Sequence, residues 1–451
     1  MSFRDRIRNR PVPKTKYLNP DDIPKAIETL LPPDKVEELS RDAHFVERER
    51  KVHPYEFLIT LVLGFGIRLQ RTLSSLRNDY HDLTKIDFSE SAWHDRFDKN
   101  LILFLKSCIE LAMTQMGGEV NRTLSSKLER FKDIMIQDST VVRLCAALIR
   151  KWPATRSRKP AAGLKVSMLI SAVAASPTKV SIHGERLHDS RTLSIGEWVR
   201  GKILLVDLGF FKFRMFARIG ECGGYFVSRL KENANPLFLS SFRVHRGQAI
   251  DLAGKHWKDI KDRLAREILD AGVEVGFSRR AYNGKRSMDT LPLRLVAVYN
   301  TEAEKYHVYI TNIQPDVLSA EDVAEVYRVR WDIEMLFKEL KSRYSFDEIK
   351  SADENVVEGL IWTGILTLLV SRRLFNVLRK SAPIEIAVRY TPMRWATTFV
   401  ETAHYLQNVL KGYFGFGTLD DEELKKLAWL YEIHSLDPHI NRHRLPDGWF
   451  H

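Results

Sequence analysis

Cysteine is scarce in this 451-residue sequence, and long uncharged apolar runs are absent. The three cysteines, Cys108, Cys145 and Cys222, lie far apart without CxxC spacing, which indicates a reducing, cytoplasmic environment and no zinc site. The N-terminal residues lack the apolar core of a signal peptide. A representative apolar run, residues 360–370, spans 11 residues, whereas a membrane helix needs roughly 20. We therefore predict a buried helix there and no association with a membrane.

Several common catalytic and metal-binding motifs are also missing. The sequence has no Gly-x4-Gly-Lys phosphate loop and no Gly-x-Ser-x-Gly elbow, which argues against an ATP-driven enzyme and against a serine hydrolase. His183, His188 and Asp189 have no standard ligand spacing. We interpret them as parts of a hydrogen-bonded loop.

Positive charge is in excess. The chain has 70 Lys and Arg against 58 Asp and Glu, which gives a net charge of +12 and a pI near 9.4. Cations cluster in residues 1–17 and 150–165. Either cluster alone is consistent with a solvated loop, but together they favour contact with phosphates, because each cation placed against a phosphate backbone releases a counterion.

The hydrophobic pattern divides the chain into helical ends and a strand-rich middle. Residues 20–128 predict helices, with no strand-like alternation. Two short amphipathic segments there, residues 72–82 and 89–100, predict either a helix-turn-helix that presents Trp93, His94, Arg96 and Lys99 to a major groove or an ordinary helical hairpin.

After residue 130 the order of predicted elements is βββαβαβ, which is that of a ribonuclease-H-like sheet. Dense alternation between Glu232 and Pro315 predicts a separate β-rich piece, and a helix begins near Ser319 and runs to about Arg343. We therefore predict an α/β fold with a ribonuclease-H-like core, a β-rich insertion and helical ends. The predicted boundaries are residues 1–129, helical; 130–231 and 317–350, core; 232–316, insertion; and 351–451, helical.

Two aspartates end predicted strands of the core. Asp138 ends the first strand, and Asp207 ends the apolar run ILLVD of the fourth. Each alone is also typical of a residue that caps a turn. Because the first and fourth strands are neighbours in the ribonuclease-H order, the two carboxylates are expected within bridging distance of one metal ion, and such hard ligands suit Mg²⁺ or Mn²⁺.

The segment from Tyr327 to Lys341 places polar residues on one side of a helix. At about 100° per residue, one narrow stripe holds a single acid among cations and a tyrosine, and the core residues lie beside it. The residues of the stripe are Tyr327, Arg330, Glu334, Lys338 and Lys341. An amphipathic helix with a charged outer face is the plain alternative, but it does not explain why the acid is surrounded by cations.

These residues resemble the YREK signature of insertion-sequence DDE transposases, a family of cut-and-paste enzymes. Tyr327-x2-Arg330-x3-Glu334-x6-Lys341 matches at each position. The sequences Asp138-Ser139-Thr140, Asp207-Leu208-Gly209-Phe210 and Tyr225-Phe226-Val227-Ser228-Arg229-Leu230-Lys231 resemble the motifs that accompany the signature. The long separation of Asp207 from Glu334 resembles the members that carry a β-rich insertion at this point.

The resemblance implies roles for individual residues. Asp138, Asp207 and Glu334 are expected to be catalytic and to hold two divalent ions, Mg²⁺ or Mn²⁺. Contacts with double-stranded DNA are expected from five cationic residues and a tyrosine, namely Tyr327, Arg330, Lys341, Lys338, Arg229 and Lys231. Family members that cut through a hairpin stack a flipped base on a tryptophan, and His307, beside Tyr306, falls at that place here. Both residues are equally consistent with packing in a sheet.

The implied function is that of a DNA transposase. It would bind terminal inverted repeats through the N-terminal helical region, cleave phosphodiester bonds and transfer the strands. A homodimer, held by the C-terminal helices, and a cytoplasmic, nucleoid-associated location are also expected. The alternatives are a non-catalytic DNA-binding protein derived from a transposase, a stand-alone metal-dependent nuclease and, more remotely, a two-metal phosphatase.

Overall fold

The structure is a computed structural model that describes residues 15–47, 51–67, 72–155, 161–245, 248–249, 251–279, 287–344, 346–347 and 349–438. Most cations of the two predicted clusters, in residues 1–14 and 156–160, lie outside these ranges. The described strands are β1 (Ile134–Leu144), β2 (Ala162–Ser171), β3 (Ser176–Gly184), β4 (Ile203–Val206), β5 (Tyr225–Arg229), β6 (Leu237–Ser241), β7 (Val244–His245), β8 (Gln248–Ala249), β9 (Ile268–Ser278), β10 (Met288–Asn300) and β11 (Lys305–Thr311).

Helices cover most of the remaining described chain. The α-helices are α1 (Asp22–Leu30), α2 (Pro33–Asp42), α3 (Pro54–Ile67), α4 (Leu73–Thr84), α5 (Glu90–His94), α6 (Lys99–Gly117), α7 (Phe213–Glu221), α8 (Trp257–Ile260), α9 (Ala320–Arg328), α10 (Trp331–Ser342), α11 (Glu354–Ser381), α12 (Ile384–Ala387), α13 (Pro392–Tyr413) and α14 (Asp421–His434). Short 3-10 helices lie at Ser126–Leu128, Ala146–Arg150, Asp189–Arg191, Glu197–Val199, Leu208–Phe210 and Lys261–Arg263.

The core of the fold is a nine-stranded sheet in the order β3-β2-β1-β4-β5-β11-β10-β9-β6. Strands β1, β2 and β3 form an antiparallel meander, and β4 lies parallel to both β1 and β5. Helix α7 connects the parallel strands β4 and β5, as expected for a crossover between parallel neighbours. This arrangement of the first five strands confirms the predicted ribonuclease-H-like α/β fold.

Four of the described strands between residues 232 and 316 belong to the same sheet as β1 to β5, contrary to our expectation of a separate β-rich piece, and only the short strands β7 and β8 pair apart from it. Strand β11 pairs antiparallel with β5, with Tyr309 opposite Arg229, and β10, β9 and β6 continue the same sheet. The physical reason is that β5 would otherwise expose a row of unpaired backbone groups at the sheet edge, which β11 satisfies. The domain boundaries themselves stay a prediction.

Alternating side chains divide the sheet into two buried faces. Ile134 and Ile136 of β1 pack with the helices, whereas Met135 packs on the other side with Leu204 and Val206 of β4. The first face is covered by helices of both ends of the chain and the second by α7 and neighbouring loops. A side chain's position along a strand therefore determines which face it occupies.

The helices of the two chain ends share one core. The hydroxyl of Thr367 in α11 donates to the carbonyl of Val62 in α3 (2.9 Å), and Glu432 in α14 accepts from the backbone N–H of Leu18. Among the described helices, α11 is long and apolar enough to span a membrane, but 89% of its apolar window is buried within the protein. This burial agrees with the predicted core helix.

The predicted helix-turn-helix differs from the structure in its second helix. Helix α5 ends at His94, and α6 begins at Lys99 with Asp98 as its N-cap. The indole of Trp93 is only 1% exposed because it packs against Phe57, Tyr80, Phe88 and Phe97. Trp93 is therefore a core residue and is not presented at the surface.

A buried ion pair joins the added strands to the helix that comes after them. Arg294 in β10 forms a bidentate pair with Asp270 in β9, with both N···O distances at 2.7 Å. The same guanidinium donates to the carbonyls of Ile313 and Leu318, just ahead of α9. Because Arg294 is fully buried, water cannot stabilise its charge, and these partners do so instead.

We predict that Asp270→Asn destabilises the protein by about 3 kcal/mol or more, because it leaves the Arg294 charge buried without a counter-ion. Chemical unfolding monitored by tryptophan fluorescence measures the change. Asp289→Asn is the matched control, because it breaks an exposed pair with Arg279 (2.6 Å) and is expected to shift the midpoint little. Equal shifts in the two variants would contradict the assigned role of Arg294.

Candidate active site

The two aspartates lie on adjacent strands and on the same face of the sheet. Strand β1 pairs with β4 in parallel from Ile134 opposite Ile203 to Gln137 opposite Val206. The next pair in this register is Asp138 and Asp207. Asp138 lies within β1, not at its end as expected, since the strand continues to Leu144. Ile136 and Leu205, which lie two residues before the two aspartates, face the helices. Because side chains alternate along a strand, the side chains of Asp138 and Asp207 point to the same face.

Glu334 reaches this face from helix α10. The helix predicted to be continuous from Ser319 is interrupted at Val329 and Arg330, where the backbone N–H of Arg330 donates to Tyr327 (3.1 Å). Glu334 therefore lies in the first turn of a new helix. Its neighbours Ile333, Leu336 and Phe337 pack into the core on the helix-covered face of the sheet. This packing holds the carboxylate toward β1 and β4.

Arg330 lies between Asp138 and Glu334. One guanidinium nitrogen is 3.3 Å from a carboxylate oxygen of Asp138, and another pairs with Glu334. The Ser139 backbone N–H donates to Asp138 as well (2.7 Å). Burial nevertheless raises the pKa of Asp138 to about 6, because loss of solvent outweighs these favourable contacts.

Tyr327 connects the preceding helix to the strand that leads into Asp207. Its hydroxyl donates to the carbonyl of Val206 (3.4 Å), and its ring contacts Tyr309 of β11. Arg330 and Arg229 lie against the ring, at 5.6 and 5.9 Å from its centre. Burial raises the pKa of Tyr327 to about 12, so the hydroxyl is neutral at physiological pH.

The other predicted cations lie on helix α10 and at or just after the end of β5. Arg229, Lys231 and Lys338 are exposed, and Lys341 is half-buried. Neither Lys338 nor Lys341 forms a side-chain ion pair with any residue that the structure describes. Their charges are thus free to meet an anionic partner.

The two residues considered for base stacking lie on opposite faces of β11. His307 shares a face with Tyr309 and lines the cleft beside Tyr327 and Glu334. Tyr306 packs its ring against Tyr299 and donates its hydroxyl to the carbonyl of Arg266. The structure therefore brings only His307 to the predicted site.

A cleft of about 1680 Å³ opens beside Glu334, which is the only one of the three acids that lines it. Its lining comes from all four predicted regions and includes Arg122, His307, Arg330, Glu334 and Arg379. Trp331, 58% exposed, also lines it, although the sequence patterns predicted no role for this residue. Its helical spacing could have indicated an exposed position, because Trp331 lies about 40° around the helix from Tyr327 and away from the side that holds the core residues.

The donor chemistry of the three acids fits a divalent cation. Carboxylate oxygens are the ligands that Mg²⁺ and Mn²⁺ prefer, and Asp138, Asp207 and Glu334 share one face of the sheet. In the described part of the chain no three ligating side chains lie close enough to form a complete site. The guanidinium of Arg330 lies between two of the three acids instead.

A ribonuclease-H-like sheet with two aspartates on adjacent strands and a glutamate on a later helix is the arrangement of DDE enzymes, which act on DNA. The family described as "Transposase DDE domain" matches residues 129–370, more than half of the sequence, so the chain belongs to this family.

Individual relatives agree. The transposase for insertion sequence element IS231F of Bacillus thuringiensis subsp. israelensis is 23% identical, over 78% of this chain and 79% of the relative. The transposase for IS1151 of Clostridium perfringens is 22% identical, over 92% and 96%. Among solved structures, the piggyBac transposase synaptic complex with hairpin DNA is a distant likeness, with a TM-score of 0.47 and 10% identity over 95% of this chain and 87% of that one.

These findings confirm the predicted resemblance to insertion-sequence DDE transposases and the function of a DNA transposase. Membership of the family also implies dependence on divalent metal ions in general. Assignment to the YREK subgroup stays a prediction, and so do the roles of the individual site residues.

The raised pKa of Asp138 predicts how stability changes with pH. Because the pKa is about 6 in the folded chain and lower in the unfolded chain, the associated stability is full below about pH 4 and is lost as pH rises through 6. The loss is on the order of 3 kcal/mol. Asp138→Asn cannot ionise, so we expect it to gain stability relative to the wild type between pH 4 and 7. Unfolding measured across this range tests the sign, and a constant difference would contradict it.

Proposed function

We propose that this transposase cleaves DNA at the terminal inverted repeats of an insertion sequence and transfers the strands, with Asp138, Asp207 and Glu334 as its catalytic acids. The observation that carries this proposal is the parallel register of β1 and β4, which makes Asp138 and Asp207 neighbours on the face that Glu334 also approaches. The link of Arg330 to both Asp138 and Glu334 supports it further.

The two metal ions of the proposed reaction are Mg²⁺ or Mn²⁺, held by the three acids. Such an ion, when bound, neutralises charge on the scissile phosphate and activates water or a 3′-hydroxyl. The acids suit this task because their carboxylate oxygens are hard ligands and lie on the side of the sheet that opens to the cleft. Burial raises the pKa of Asp138 to about 6, so this acid is mostly ionised at neutral pH.

The cations around the acids are proposed to hold the DNA backbone. Arg330 carries a planar fork that matches a phosphate, and the cations at 338 and 341 lie one and two turns beyond Glu334. Arg229 and Lys231 lie at the end of β5, at the edge of the same region. Tyr327, contrary to the predicted phosphate contact, is buried and donates its hydroxyl to the carbonyl of Val206, so its proposed part is to pack its ring against Arg330. The half-buried ring of His307 is the remaining candidate for stacking a base.

The helical ends are proposed to recognise DNA ends and to dimerise. Residues 1–129 are proposed as the DNA-end-binding region and 351–451 as the dimerisation region, in a homodimer that brings two transposon ends together. What supports a joint role is that helices of both regions share one core beside the cleft. The proposed location is the cytoplasm, in association with the nucleoid.

We predict that Glu334→Gln and Asp138→Asn reduce cleavage by at least about two orders of magnitude while DNA binding persists, because a neutral amide is a poor ligand for Mg²⁺. The assay uses labelled DNA that carries the flanking inverted repeats, with Mg²⁺ and with EDTA. A gel shift measures binding in parallel.

Glu325→Gln is the matched control for these variants. Glu325 lines the same cleft from helix α9 but has no place among the three acids. It is expected to cleave like the wild type. Binding without cleavage in the wild type would favour the non-catalytic descendant, and cleavage without preference for the repeats or strand transfer would favour the stand-alone nuclease.

A second prediction concerns the phosphate contacts. Lys341→Ala is expected to weaken DNA binding and to make the dependence of log K on log salt concentration shallower by about 1, because one fewer counterion is released. Binding isotherms at several salt concentrations measure this slope. Lys425→Ala removes a cation that pairs with Glu422 on helix α14 and should leave the slope unchanged. A wild-type slope for Lys341→Ala would rule out the proposed contact.

A further inference from the structure

A hydrogen-bonded cluster lies on the face of the sheet opposite the three acids. Asp189, which begins the 3-10 helix Asp189–Arg191, accepts a hydrogen bond from the Ser139 hydroxyl (2.6 Å) and pairs with Lys165 (2.8 Å). Ser139 is the residue after Asp138 on β1, so its side chain points to the other face. We call Asp189, Ser139 and Lys165 the Asp189 cluster.

The Asp189 carboxylate contacts both segments that carry catalytic aspartates. One carboxylate oxygen accepts the hydrogen bond from the Ser139 hydroxyl, and the backbone N–H of Ser139 donates to the carboxylate of Asp138 (2.7 Å). The other oxygen lies against Gly209, two residues after Asp207. A Cβ atom added to Gly209 would be only 2.7 Å from it. One side chain therefore connects the first strand with the 3-10 helix Leu208–Phe210, which directly follows Asp207.

The position of Asp189 is fixed by charge and by backbone hydrogen bonds. Lys165 is buried, and its ammonium group donates to the carbonyl of Leu187 (2.6 Å) besides pairing with Asp189. A buried lysine that lacks its counter-ion destabilises the folded state, so the ion pair with Lys165 holds the Asp189 side chain in this orientation. The carbonyl of Asp189 accepts from both the backbone N–H and the hydroxyl of Thr192 (2.9 and 2.8 Å).

We propose that Asp189 is a positioning residue for catalysis: through Ser139 and Gly209 it sets the separation at which Asp138 and Asp207 share a divalent cation. The inference rests on the proposed function, because it needs these two aspartates to bind the ion. Groups that orient metal ligands typically contribute 10- to 100-fold to metal affinity. From its spacing in the sequence, Asp189 was predicted to be only part of a hydrogen-bonded loop.

The test is Mn²⁺ binding to the full chain, measured by titration calorimetry without DNA. Ser139→Ala removes the hydroxyl that links Asp189 to the segment of Asp138, and we expect about tenfold weaker binding. Gly209→Ala is expected to weaken binding as well, because its methyl group displaces the carboxylate. Ser139→Thr keeps the hydroxyl and should restore the wild-type affinity. Asp138→Asn should abolish binding at the site.

Ser171→Ala is the matched control. The Ser171 hydroxyl donates a hydrogen bond to Asp133, and this bond has the same length, 2.6 Å, as the bond from Ser139 to Asp189. It lies at one end of the β1–β2 pair. We expect the Mn²⁺ affinity of Ser171→Ala to equal that of the wild type. Thermal unfolding of every variant shows whether any loss of affinity reflects a general loss of structure.

Two results would overturn the inference. One is wild-type affinity in Ser139→Ala, and the other is an equal loss in Ser171→Ala, which would make the cluster merely structural. The proposed function itself fails under a different result, in which Asp138→Asn binds Mn²⁺ as the wild type does and the wild type cleaves DNA equally well without metal. In that case the role of Asp189 fails together with the role of the acids.

Discussion

The backbone pairing of β1 with β4 is the constraint on which the candidate active site depends. These strands are distant in sequence, and their parallel register from Ile134 opposite Ile203 to Gln137 opposite Val206 makes Asp138 and Asp207 neighbours. Because side chains alternate along a strand, a shift of one residue in either strand would turn that strand's aspartate to the other face. The apolar residues that precede each aspartate are buried on both faces of the sheet, and this burial opposes such a shift.

Placing acids together is electrostatically unfavourable, and the surrounding structure offsets the cost. Arg330 pairs with Asp138 and Glu334, yet burial still raises the pKa of Asp138. The helix that carries Glu334 is held five residues later, where the fully buried Glu339 pairs with Arg372 of α11 and accepts from the hydroxyl of Tyr344 (2.8 Å). The helix that carries Glu334 is thus anchored by contacts outside the candidate site, as expected where function requires a local loss of stability.

Features that arise from local patterns could be predicted from the sequence, whereas features that depend on distant contacts could not. The strands themselves and the stripe around Glu334 result from alternation and helical spacing, and the proximity of Asp138 to Asp207 was inferred from the ribonuclease-H-like order of the elements. The interruption of the helix at Arg330 was missed, because no glycine or proline marks it and because the Arg330 side chain pairs with Asp138 on the distant strand β1. The continuous sheet was missed as well, since the pairing of β11 with β5 joins segments about 80 residues apart. The contacts of Asp189 could not be predicted from its sequence neighbours, because its partners lie on separate strands.

The two chain ends, the added strands and the catalytic core come together at a single cleft. The helices of both ends pack on the face that carries Asp138 and Asp207, so a DNA duplex bound by those helices, as we propose, would lie on the side of the sheet where the acids are. The cleft is lined by Arg122 from the N-terminal region, His307 from the added strands and Arg379 from the C-terminal region. If the helical ends recognise the DNA end as proposed, shared packing couples recognition to cleavage, and a substitution that loosens the common core is expected to impair both activities together.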